Sequence, residues 1–203
     1  MMHETISDIF KLLGEHVVSP LVVGMALFAV YKLKDYVQKK RRYKSLKLNI
    51  KKNIRIQELL SELRIITGAS RTYVSMFHNG NKYINGSPII KFSRTHETVG
   101  PGVSHESTIY QDVLASILMN QDMFGLIDTK EPIVKEVKSL SNSQFKNMLA
   151  SQGVETFITF PIISVGELVG FLGLDYLARD THKADLDNKI KEYSISIEQT
   201  LSN

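Results

Sequence analysis

The sequence predicts an α+β fold, a mostly antiparallel sheet flanked by helices, behind an N-terminal helical segment. Three observations carry this. Apolar residues recur at helical spacing up to Thr67, with no Gly or Pro between Lys34 and Thr67. After Gly68 the period changes to β-branched and aromatic runs bounded by Asn-Gly and Val-Gly turns. Those runs fall mostly in neighbouring pairs, which favours antiparallel pairing with helices gathered on the sheet faces. At 203 residues there is room for one ordinary domain plus an appendage.

Taken in order, Ile56, Leu59, Leu63 and Ile66 form a helical stripe that Ile54 and Leu60 widen, and Gly68 ends that helix. Arg71–His78 reads as a strand closing on the Asn79-Gly80 turn. Pro88–Thr95 reads as a second strand, with Asn85-Gly86 ahead of it. Thr108–Met119 has helical spacing through Ile109, Val113, Ile117 and Leu118. A short strand is expected at Phe124–Ile127 and a helix at Ser143–Gln152, stopped by Gly153. The runs Glu155–Ile163 and Glu167–Tyr176 make a hairpin around Ser164-Val165-Gly166, with Phe157, Phe160, Leu168, Phe171 and Leu174 in the core. Leu186, Ile190, Tyr193, Ile197 and Leu201 give a closing amphipathic helix.

The N-terminal part divides by charge. Val17–Tyr31 has no charged residue and spans about 22 Å as a helix, short of the roughly 30 Å hydrocarbon core. Lys32 and Lys34 can snorkel, and Phe10, Leu12 and Leu13 can add length on the other side. The flanks are acidic before and basic after, the reverse of a signal peptide. A transmembrane helix over residues 17–33 is therefore expected, with a short extracytoplasmic segment at 1–16. From Lys32 to Lys52 there are ten basic residues against one acid, whereas the chain from Asn53 onward is net −3. This band, with Lys39, Lys40, Arg41, Arg42 and Lys44 at its centre, would hold the following domain in the cytoplasm and attract anionic lipid. Residues 34–67 form a basic helical stalk, and 54–203 form the globular domain that its end enters. Nucleic acid is disfavoured, since no stacking or groove-reading motif accompanies the band.

The closing hairpin, "TFPIISVGELVGFLGLDY", and the helices that bracket the domain resemble the GAF/PAS class of small-ligand and signalling domains, over roughly residues 54–203. The "FHNG" ending the first strand and Thr95-His96-Glu97 in the second are similar to membrane-anchored proteins of phages and mobile elements, a resemblance that implies no activity. The one-span plan also resembles the T-even phage holins. In those the globular domain lies outside the inner membrane, opposite to what the basic band implies here.

With no cysteine in the chain, disulfides, thiolate metal sites and cysteine nucleophiles are excluded. His78, His96 and His105 are the histidines of this region, but neighbouring strand residues point to opposite faces, so His96 and Glu97 do not share an ion. No nucleophile elbow appears, and "TVGPGVSHES" lacks the lysine and spacing of a phosphate loop. No catalytic residue, metal or cofactor is expected, and the chain is read as a non-enzyme. The candidate ligand- or partner-binding residues are His78, Asn79, Tyr83, His96 and Glu97, with turn chemistry as the plainer role of the "FHNGNKYINGSP" stretch. A GAF-like ligand would sit between the sheet and the helices at 108–119 and 143–152, unless Ile109, Leu114, Ile117, Met148 and Leu149 fill that space.

The sequence thus describes a single-pass inner-membrane protein with a cytoplasmic, sensory or scaffolding GAF-like domain. It would self-associate through the stalk and the last helix. The alternative is a holin-like lysis protein.

Overall fold

The computed structural model describes residues 19–118, 123–178 and 184–202. The chain divides between Ile50 and Lys51 into two compact units. Helix α1 runs Ser19–Thr67. It stops where Gly68 takes φ 68°, a left-handed conformation that costs glycine little. In the first unit, Met25, Leu27, Phe28, Val30, Tyr31 and Leu33 expose 57–66 % of their surface.

The second unit contains β1 (Arg71–Lys82), β2 (Pro88–Val99), β3 (Val113–Leu114), the helical turn α2 (Ala115–Leu118) and α3 (Phe124–Asp128). Then come β4 (Ile133–Glu136), α4 (Gln144–Ser151), β5 (Thr156–Ser164), β6 (Glu167–Tyr176) and α5 (Asp187–Ser202). The strands make one six-stranded sheet in the order β3-β2-β1-β6-β5-β4. Every neighbouring pair is antiparallel.

Both faces of this sheet are covered. Ile56, Leu59, Leu60 and Leu63 of α1, with Ile190 and Ile197 of α5, pack on Val74, Ile158, Phe160, Ile162, Leu172 and Leu174. On the opposite face Phe145 and Leu149 of α4, Leu118 and Leu126 pack on Tyr73, Phe92, Phe157 and Phe171. Strand alternation divides the expected core accordingly. Phe157 and Phe171 face α4, Phe160 and Leu174 face α1 and α5, and Leu168 is half-buried. Of the α1 stripe, Ile54 and Ile66 are exposed, because one helix face can meet the sheet over only about a third of its circumference.

Several expectations are corrected. β1 does not end at Asn79-Gly80. It continues to Lys82, with a register irregularity between Asn79 and Lys82 absorbing the first Asn-Gly pair. The positive φ falls instead on Gly86, at 84°. β2 likewise runs on to Val99. The expected helix at 108–119 is mostly turn and strand, and Met119 lies outside the described residues. Asp112 takes φ 54°. The Arg94 amide donates to Tyr110 O at 2.8 Å, and Val113 pairs with Phe92, so pairing along β2 overrides helical spacing. Phe124–Ile127 is helical, and the edge position beside β5 is taken by Ile133–Glu136. A short apolar run serves either state, and the available sheet edge decides.

The expected span at 17–33 is not supported as a membrane crossing: among the described residues no helix is long and apolar enough for one. Segment 1–16, with Val17 and Val18, lies outside the described residues.

Residues 51–203 are expected to fold when expressed alone. Phe157→Ala there should lower unfolding free energy by about 3–5 kcal/mol, measured by urea denaturation. A loss below about 1 kcal/mol would contradict its fully buried position.

Candidate functional site

A buried cluster of charged and aromatic groups occupies the α4-side face of the central strands. Arg71 on β1 and Asp175 on β6 are register partners. The Arg71 guanidinium donates from Nη1 to Asp175 Oδ2 at 3.0 Å, and both side chains are fully buried. Tyr73, next but one along β1, donates its hydroxyl to Asp175 Oδ1 at 3.1 Å. Gly173 lies opposite Tyr73, and a Cβ there would stand 2.2 Å from the tyrosine ring. The ring therefore requires glycine at that position.

β2 contributes through an irregularity. Val74 pairs with His96 but Ser75 pairs with Arg94, so Thr95 is an extra residue. Strict alternation would put Arg94 and Glu97 on opposite faces. The bulge turns both toward the cluster, where Arg94 Nη1 donates to Glu97 Oε1 at 2.6 Å. The Arg94 guanidinium lies 3.6 Å from the Tyr73 ring centroid and 4.1 Å from that of Tyr110, a cation held between two aromatic faces.

The loop after β2 closes the cluster. The amides of Glu106 and Ser107 each donate to Glu97 Oε2 at 2.8 Å. Ser104 O accepts from Arg71 Nη2 at 3.1 Å, and Glu106 Oε1 lies 3.7 Å from that nitrogen. His105 Nδ1 is 3.4 Å from Glu97 Oε2, with its side chain largely exposed.

The fields act oppositely on the two acids. Burial would raise Glu97, but the Arg94 charge and hydrogen bond, with the two loop amides, hold it below its ordinary range. Burial wins at Asp175 and raises its carboxyl against the pull of Arg94 and Arg71. Burial, then the Asp175 charge, pushes the Tyr73 phenol well up, so it stays a donor. The chemistry of the cluster is therefore binding and positioning: two guanidinium groups tie β1, β2, β6 and the loop together.

Little space remains. The cavity bounded by Tyr73, Ser75, Phe92, Arg94, Tyr110, Phe145 and Phe171 has a volume of about 10 Å³, room for one water. Small-molecule pockets run to about 300–1,000 Å³. Arg94 Nε and Ser75 Oγ, both buried, border it without hydrogen-bond partners. The expectation that bulky helix residues fill this region holds for Leu149, which is buried, whereas Ile109 and Leu114 are exposed. Arg94 is the main occupant.

Of the sequence candidates, only Glu97 enters the cluster. His96 faces the α1 side, 3.3 Å from Asn53 Oδ1, and its pKa is lowered by burial. His78 bonds Ser93 Oγ at 2.9 Å, and Asn79 and Tyr83 are exposed on the β1–β2 hairpin. None of these four side chains joins the cluster. Lys39, Lys40, Arg41, Arg42 and Lys44 lie on α1 in the first unit, where Lys39 Nζ is 2.9 Å from Asp35. Arg71, Tyr73, Arg94, Tyr110 and Asp175 were missed. The available signal was charge within otherwise apolar strands: "RTYVSMF", "KFSRT" and "GFLGLDY" each carry at least one.

No protein family matches the sequence, and no curated protein does. Among solved structures, a phycoerythrobilin-bound GAF domain from a cyanobacterial phytochrome matches with TM-score 0.58 at 15 % identity, covering 79 % of this chain and 91 % of that one. The cyanobacteriochrome receptor PixJ matches with TM-score 0.57 at 12 % identity, over 77 % and 98 % of the two chains. A GAF domain region from Geobacter sulfurreducens gives 0.54 at 11 %, over 78 % and 97 %. The fold is GAF-like.

Glu97→Gln leaves two buried guanidinium groups undercompensated, and should cost about 3–5 kcal/mol at neutral pH. A depressed carboxyl stabilises the fold above its unfolded pKa, and that contribution is lost as pH falls through the folded value. The native protein should therefore lose stability below its ordinary value of 4.5, and the variant should show a flatter acid limb in denaturation curves. Arg94→Ala should be destabilised by a similar amount and partly restored by methylguanidinium, seen as a rise in melting temperature.

Proposed function

We propose that this chain is a non-enzymatic sensory or scaffolding module that works through macromolecular contacts and not by enclosing a small molecule. The observation that carries this reading is Arg94. Its guanidinium lies between Tyr73 and Tyr110, where the interior of the domain would receive a ligand, and about 10 Å³ is left. The bilin of the phytochrome neighbour needs far more room than that. Ligand entry would require moving a buried, ion-paired side chain.

Two features support action at a membrane. Large apolar side chains from Met25 to Leu33 stand exposed along α1, and the basic band follows them. The basic band after the apolar stretch supports a cytoplasmic location for the GAF-like domain at the inner membrane. Self-association through α1 and α5 is supported by Ile54, Ile65 and Ile195, all exposed on those helices. No observation on the described residues favours the holin-like alternative.

Two measurements test the proposal. The full chain should sediment with membranes and resist release by a high-salt wash, and recovery in the soluble fraction would overturn the membrane assignment. Protein purified from a bilin-producing host should show no visible absorbance. A stoichiometric chromophore would overturn the filled-interior reading.

A further inference from the structure

β1 and β6 part company before β1 ends. Their pairing stops at Met76 and Gly170, while β1 continues to Lys82 paired with β2. The result is a hairpin over residues 77–92 that is two-stranded from Asn79 to Ile90, since Lys91 and Phe92 also pair with β3, and its turn is internally satisfied. The Tyr83 amide donates to Ser87 O and the Gly86 amide to Tyr83 O, each at 2.9 Å. The Ser87 amide donates to Asn85 Oδ1 at 3.1 Å. The tip thus holds its shape without a partner.

The arm presents apolar groups to solvent. Ile84 is fully exposed, and Tyr83 and Ile90 expose 56 % and 42 % of their surface. The arm, "FHNGNKYINGSPIIKF", contains Lys82, Lys91 and His78 and no acidic residue, in a chain that is net negative after the basic band. At its base Asp112 lies 3.8 Å from His78 and 4.0 Å from Lys91, so Lys82 is the cation beside the tip.

We propose that this arm contacts an anionic bilayer. Tyr83 and Ile84 enter the headgroup region, where an amphipathic ring and an aliphatic chain both find favourable surroundings. Lys82 meets the lipid phosphates. The aliphatic tip and single tyrosine favour lipid over a nucleic acid, which would use a stacking surface. The acid-free composition selects an anionic surface over a neutral one. The inference rests on the membrane location proposed above and assigns the GAF-like domain a lipid contact of its own.

The chain has no cysteine, so Ile84→Cys in the full-length protein accepts a single environment-sensitive fluorophore. With phosphatidylcholine vesicles containing phosphatidylglycerol, its emission should shift to the blue and strengthen. With phosphatidylcholine alone it should not. The same label at Val165→Cys, on the other exposed hairpin turn, should stay in water. Lys82→Gln should lower the arm's insertion equilibrium about fivefold, the effect of removing one lysine from an anionic surface. If the chain sediments with vesicles while the label at position 84 stays in water, the arm proposal fails and the membrane location stands. If the chain does not sediment at all, both fail. A shift that grows with protein concentration without vesicles would assign the tip to a second copy and overturn the lipid contact.

Discussion

The antiparallel pairing of β1 with β6 is the constraint on which the rest of this domain depends. These strands come from opposite ends of the folded unit, yet they form the centre of the sheet. Arg71 opposite Asp175 marks the head of their register, with Tyr73 over Gly173 one step further on. A one-residue slip of β1 would move Arg71 to the face packed by α1 and α5, among Leu60 and Leu63, and leave Asp175 without its partner. Charges without partners there would cost several kcal/mol each. The pairing of Arg71 with Asp175 therefore favours the native register over a slipped one.

The bulge at Thr95 is the second determinant. Before it, Phe92 and Arg94 face α4; after it, Glu97 does, although three positions separate Glu97 from Arg94. One inserted residue thus places an acid beside the guanidinium and redirects His96 toward Asn53. The loop through Ser104, His105 and Glu106 is then drawn in, because Glu97 accepts its amides. Thr95-His96-Glu97 and the Ser104–Ser107 loop meet through Glu97.

These devices bear on what a GAF-like fold does here. The face between sheet and helices is occupied by the protein's own Arg94, stacked as a flat ligand would be. The proposed recognition role falls to outer surfaces, and α1 and the β1–β2 arm are among those that expose large apolar groups.

The sequence by itself determined the segments whose local preference agrees with their final packing. The end of α1 at Gly68, the helix α4 ahead of Gly153, the tight turn at Val165-Gly166 and the stripe of α5 were all legible, since each needs only nearby residues. Glu97 was legible as a candidate, though not its partners. Only the tertiary structure decided residues 108–136, where short apolar runs fit strand or helix and the open edges of β2 and β5 chose between them. It also decided that Arg94, Tyr73 and Asp175 meet, because a bulge leaves no mark in composition or periodicity. A cluster assembled from strands a hundred residues apart exists only once register is set.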